Sequence, residues 1–77
     1  MFRSAMQHHR FQLTHEYIAL CDLLKMVGLA DSGGHGKVMV AQGLVSVDGQ
    51  PEARKTAKIR AGQTVECQDN VIAVIAA

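Results

Sequence analysis

Residues 43 to 62 read Gly43-Leu44-Val45-Ser46-Val47-Asp48-Gly49-Gln50-Pro51-Glu52-Ala53-Arg54-Lys55-Thr56-Ala57-Lys58-Ile59-Arg60-Ala61-Gly62. Val45, Ser46 and Val47 alternate as a short strand and run into Asp48-Gly49, a dipeptide that readily takes the positive φ angles of a two-residue hairpin turn. Arg54, Lys55, Lys58 and Arg60 follow with no acid among them, and Ile59 is the one large apolar anchor of that segment. The pattern describes a positive surface held on a tight β-scaffold, a surface suited to a nucleic-acid backbone.

The charge is local, not global. The 77 residues carry a net charge of only +1, with eight bases against seven acids. Residues 54–60 hold four of those bases, so the rest of the chain has four bases against seven acids and is net negative. A chain this short has room for one core and buries only about 60% of its extended surface. Its composition, 48% apolar with seven glycines and one proline, is that of a folded α+β domain, not a disordered segment. No run of 18 apolar residues occurs, and no apolar stretch follows Arg3 at the start, so the chain reads as cytoplasmic with no membrane segment. Cys21 and Cys67 fall on apolar faces in no metal or redox spacing, and read as small buried hydrophobes of a reducing compartment.

Upstream of the hairpin the signals are helical. Residues 1–9 lack any period and predict a flexible tail, leaving residues 10–77 as the domain. Phe11 to Thr14 alternate as a short strand, which hands over at Thr14 or His15 to a helix. Tyr17, Leu20, Cys21 and Leu24 mark its buried stripe at i, i+3, i+4 and i+7, and Gly28 ends it. Ser32 or Asp31 caps a second helix that extends to about Gln42, with Gly43 as terminator. Gly33, Gly34 and Gly36 in its first turn together cost about 3 kcal/mol of helix propensity relative to Ala. Two reasons would justify that cost: close approach of the two helix backbones, or bare amides forming an anion site at a helix start.

Downstream, Lys58-Ile59-Arg60 is a short strand with Ile59 inward, Ala61-Gly62 turns, and Thr64 to Cys67 alternate again. Asp69-Asn70 makes the next turn. Val71 to Ile75 is apolar on both faces, as expected of a strand packed on one side and covered or paired on the other. His8, His9, His15 and His35 come from a tail, a strand end and a loop, without the i, i+4 spacing of a helical metal site, so no metal is expected. His35, beside the glycine turn, could donate to a phosphate or stack on a base. Nothing resembles a catalytic triad or a carboxylate pair, and neither a cofactor nor a small-molecule substrate is expected.

Taken together, Cys21 to Lys25, Gly28-Leu29, Ser32, Lys37, Gly43 to Gly49, Arg54-Lys55, Lys58 and Gly62-Gln63 resemble the small RNA-binding domain first met in the fourth small-subunit ribosomal protein. The resemblance covers about residues 20 to 66. It implies the αL RNA-binding motif, an α+β fold with two antiparallel helices packed on a small bent, antiparallel-rich β-sheet. In that family RNA is gripped by the start of the second helix and by the loop after the hairpin. Carried onto this sequence, the grip falls on Ser32, Gly33, Gly34, His35 and Lys37, and on Arg54, Lys55 and Lys58. Arg60 adds a further cation, and Lys25 lies near the helix pair. Gly33 stands where the family often has Arg, and Gln63 where it often has Asp. The pairing of Gly33 with Arg54-Lys55 and Gly62-Gln63 is similar to a stand-alone branch of small bacterial proteins.

With Tyr17 and Phe11 assigned to the core, few aromatic platforms remain for unpaired bases. Recognition is then expected to read backbone and shape in structured RNA, ribosomal or tRNA-like, by a monomeric, non-catalytic protein. The competing expectation is a protein-interaction module whose basic loop meets an acidic or ribosome-associated partner.

Overall fold

The computed structural model describes residues 6–77. Two short helices and seven strands follow one another as β1 (Gln7–Leu13), β2 (Ile18–Ala19), α1 (Leu20–Met26), α2 (Gly33–Ala41), β3 (Val45–Val47), β4 (Gln50–Pro51), β5 (Lys58–Ile59), β6 (Thr64–Cys67) and β7 (Asn70–Ala76). The fold is α+β with a mixed, mostly antiparallel sheet. Five strands run in the order β1-β7-β6-β3-β4, with only β1 and β7 parallel, and β2 and β5 form a separate antiparallel pair.

The hairpin forms where its dipeptide stands. Asp48 and Gly49 both take positive φ, 50° and 82°, and β3 pairs with β4 across them. The β6–β7 turn falls one residue earlier than expected, at Gln68-Asp69, with Gln68 at φ 55° and Asn70 already paired to Cys67. β7 lies between β1 and β6, which accounts for its apolar run: Ile72 and Val74 are buried, and Val71 and Ala73 are half-buried.

Both helices end in the same device. After α1, Gly28 N–H donates to Lys25 O and Leu29 N–H to Leu24 O; after α2, Gly43 N–H donates to Val40 O and Leu44 N–H to Met39 O. Each is a Schellman closure, and each needs a residue at positive φ, supplied by Gly28 at 85° and Gly43 at 78°. One apolar cluster joins Leu20, Leu23 and Leu24 of α1 and Met39 and Val40 of α2 to inward residues of the sheet.

Two further sequence expectations are corrected. The tail predicted over residues 1–9 lies in part outside the described residues, but Gln7, His8 and His9 belong to β1, in register with Asn70, Val71 and Ile72 of β7. Gln7 N–H donates to Asp69 O at 2.7 Å, and His9 Nε2 meets Asn70 Oδ1 at 3.0 Å. Gln7, His8 and His9 are polar and continue the alternation of Phe11 and Leu13 at no apolar position, so their pairing is backbone pairing with a distant partner.

The first helix also begins later, at Leu20 instead of Thr14 or His15. Ile18 and Ala19 are taken up by pairing with Ile59 and Lys58. Tyr17 is therefore not a core residue of a helix: it is 41% exposed. Phe11 is half-buried and packs against the core from β1.

Of the three glycines in the α2 turn, Gly36 has a packing reason. A Cβ there would stand 2.6 Å from the Cys21 carbonyl oxygen, against backbone that cannot step aside. At Gly34 the nearest neighbour of such an atom is Ser32 Oγ, at 3.8 Å. Gly36→Ala is expected to destabilise the fold by about 1–3 kcal/mol through overpacking. Gly34→Ala should stabilise it by about 0.4–1 kcal/mol by restricting the unfolded chain. Urea unfolding of both variants distinguishes these opposite signs.

Candidate nucleic-acid interface

The first turn of α1 is a joint between the start of α2 and the basic segment after the hairpin. No side chain caps this helix; its N-cap is Ala19. Its leading amides are satisfied instead by the segment after the hairpin, with Leu20 N–H donating to Ala57 O at 2.9 Å and Cys21 N–H to Lys55 O at 3.1 Å. Buried Ala57 and Ile59 anchor that segment, leaving Arg54, Lys55, Lys58 and Arg60 exposed. On its other side the same turn receives α2, with Gly36 against the Cys21 carbonyl and Gly33 beside Asp22.

The start of α2 is built by local hydrogen bonds. Ser32 Oγ accepts from His35 N–H at 3.1 Å, and Gly36 N–H donates to Ser32 O at 3.0 Å. His35 returns the cap: its Nδ1 accepts from Asp31 N–H at 3.0 Å. The neutral ring then carries its proton on Nε2, leaving one exposed donor. The amides of Gly33 and Gly34 have no acceptor among the described residues. These are the orphan donors of a helix start, where the helix dipole favours an anion. Lys37 is exposed one turn further along.

The four cations of the loop are less free than the sequence suggests. Arg54 Nε and an Nη bond the Glu52 carboxylate at 3.1 and 3.2 Å, and Arg54 N–H donates to the same group at 2.9 Å. The guanidinium and these hydrogen bonds hold the Glu52 carboxyl below the usual carboxylate range. Arg60 reaches Glu16 at 3.7 Å. Lys55 and Lys58 have no carboxylate within 4.0 Å among the described residues. In both pairs the guanidinium is exposed, so water screens it and a competing phosphate can draw it from its carboxylate.

Arg54 and Lys58 border a common hollow with Thr56 and Ala57. Lys58 Nζ lies 5.0 Å and Arg60 Cζ 5.9 Å from the centre of the Tyr17 ring. Arg54, Lys58 and Arg60 thus follow one flank, with Tyr17 among them. Lys25, in the last turn of α1, sits instead on the wall of a groove shared with Tyr17 and Met26.

Sequence reasoning missed the Asp48 carboxylate as a clasp. It accepts from Thr64 N–H at 2.9 Å and from Gln63 Nε2 at 3.3 Å, while Gln63 Oε1 accepts from Arg60 N–H at 2.8 Å. Gln63 fixes the backbone that carries Arg60. The hairpin reading found Asp48 as a turn residue but gave no sign of this second task, because its partners lie 15 and 16 positions away.

Removing the Glu52 charge tests how firmly Arg54 is held. Glu52→Gln is expected to elute from immobilised heparin at higher salt than the wild-type chain. Because the Glu52 carboxyl is held low, the ion pair stabilises the fold at neutral pH and loses that contribution as pH falls through the lowered value. Stability of the Glu52→Gln variant should therefore decline less steeply with acid, read by denaturant unfolding across the acidic range.

Residues 11–75 match the family described as the S4 domain. Over 62 residues, 80% of this chain and 89% of the relative, the sequence is 47% identical to the Escherichia coli (strain K12) protein named "Putative RNA-binding protein YbcJ". It is equally similar, over the same shares, to "Uncharacterized protein YbcJ" of Shigella flexneri. The solution structure of YbcJ from E. coli, described as revealing an αL motif involved in RNA-binding, matches at a TM-score of 0.65 and 41% identity, over 97% of this chain and 95% of that one.

Proposed function

This chain belongs to the S4 domain family, and from that membership we propose that it is a non-catalytic RNA-binding protein that grips structured RNA with the α2 tip and the basic flank. The targets are ribosomal RNA or tRNA-like structure, bound by a cytoplasmic monomer. One observation carries the reading: Cys21 donates its N–H to Lys55 O while its own carbonyl faces Gly36. The helix tip of Ser32, Gly33, Gly34, His35 and Lys37 and the loop of Arg54 and Lys55 are fixed to the same helical turn. Their spacing does not depend on a flexible linker, and a preorganised pair of phosphate grips loses little entropy on binding.

Contacts of this kind position the protein on a backbone and read shape before sequence. The relative named as RNA-binding and the αL structure support the same class of ligand. Lys55 and Lys58, whose ammonium groups lack a carboxylate partner among the described residues, are the cations most available to RNA.

If about four phosphates are neutralised, affinity falls on the order of a hundredfold between 50 and 200 mM salt. A flat salt response in filter binding would contradict the proposal. Lys55→Glu combined with Lys58→Glu should abolish binding with the unfolding midpoint unchanged, since both side chains are exposed. Gly33→Arg supplies the family's frequent cation; the new Cβ meets Asp22 Oδ1 at an ordinary 3.5 Å. This variant is expected to bind RNA several-fold more tightly and with a steeper salt dependence.

A further inference from the structure

We propose that Tyr17 is a stacking platform for one unpaired nucleobase of the bound RNA, an inference that rests on the RNA-binding reading above. The ring's position follows from strand register. Ile18 pairs with Ile59 and Ala19 with Lys58, so Tyr17, one position beyond the ladder, falls on the side of Arg60. Side chains alternate across a strand. Ile59, 1% exposed, and half-buried Ile18 turn to the core, and Tyr17, Lys58 and Arg60 share the outer face.

A large aromatic left 41% exposed on such a pair is not there for burial. Lys58 and Arg60 lie within cation–π range of the ring, at 5.0 and 5.9 Å, and restrain it on this face. A base that stacks on the ring takes the place of one of these cations, which is then free to meet the flanking phosphate.

The neighbouring space suits a base better than a backbone. The ring borders an open groove of about 410 Å³ whose apolar wall includes Phe11, Leu13, Ile18 and Met26. It also borders a second groove, of about 590 Å³, into which Glu16 and Asp22 bring carboxylates. Asp22 lines both grooves and can accept from the exocyclic amine of a base edge; Glu16 is the partner of Arg60, and Lys25 and Lys58 are the cations beside the ring left to attract the flanking phosphates. Stacking on an aromatic needs an unstacked base, so the platform distinguishes looped or bulged RNA from continuous duplex.

Tyr17 is the one tyrosine of a chain without tryptophan, so its emission reports directly on the ring. The full chain is titrated with a labelled stem-loop RNA and with a blunt duplex of equal charge. Binding is followed by anisotropy of the label, and stacking by tyrosine fluorescence. Quenching is expected with the stem-loop only. Tyr17→Ala should weaken stem-loop binding about 5- to 150-fold, the range that corresponds to losing one base–aromatic stack. Its affinity for duplex and its salt slope should not change, and Tyr17→Phe should retain wild-type binding. Saturation of the stem-loop without quenching, equal quenching by duplex, or wild-type affinity in Tyr17→Ala would overturn the stacking role and leave the RNA-binding reading standing. A wild-type chain that binds neither RNA would overturn both.

Discussion

The contact on which this structure depends is the approach of α2 to the carbonyl of Cys21. With no Cβ at position 36, the second helix backbone settles directly on the first turn of α1. That turn has no side-chain cap of its own, and the carbonyls of Lys55 and Ala57 take its leading amides. A helix of seven residues would be marginal alone. Here it is held at its start by loop carbonyls, along its length by buried Leu20, Leu23 and Leu24, and at its end by a Schellman closure. The same constraint brings the α2 start and the segment after the hairpin together, because the N–H of Cys21 meets Lys55 O and its carbonyl faces Gly36.

Charge is arranged around this joint as a balance of attraction and restraint. Arg54 and Arg60 are paired with Glu52 and Glu16, with both guanidinia exposed. Lys55 and Lys58 remain available. Asp22, beside Gly33, puts a carboxylate near the helix tip where an anion would otherwise be most favoured. The tip thus sets the bare amides of Gly33 and Gly34 and the Lys37 ammonium against the Asp22 carboxylate, whereas the groove of Tyr17 is lined by Asp22 and by Glu16, the partner of Arg60. A nearly neutral protein can thus present a strongly polarised surface, since field strength at a site follows local placement and not net charge.

The family resemblance was legible in the sequence, as were most devices that close a helix or reverse a strand. Ser32 accepts from His35 N–H as its position before a glycine turn implied. Gly28 and Gly43 terminate their helices, Asp48-Gly49 takes the turn, and the two cysteines are free and buried. The spacing that assigned Tyr17 to a helical stripe was real but incomplete: Leu20 and Leu24 do line the core, whereas Tyr17 lies three residues before the helix, across from β5. Periodicity alone could not separate these cases, because the spacing of Tyr17, Leu20 and Cys21 is the same whether or not the backbone at position 17 is helical.

Local sequence determined what local physics can decide: which residues accept positive φ, which side chain caps a helix, and which positions alternate between water and core. Tertiary structure alone decided that Gln7 to His9 would be a strand, that α1 would start at Leu20, that Tyr17 would meet Lys58 and Arg60, and that Asp48 would clasp Gln63. Each of these outcomes needs a partner brought close by chain closure. The free energy of such a pairing belongs to two segments at once, so neither segment's own pattern reveals it.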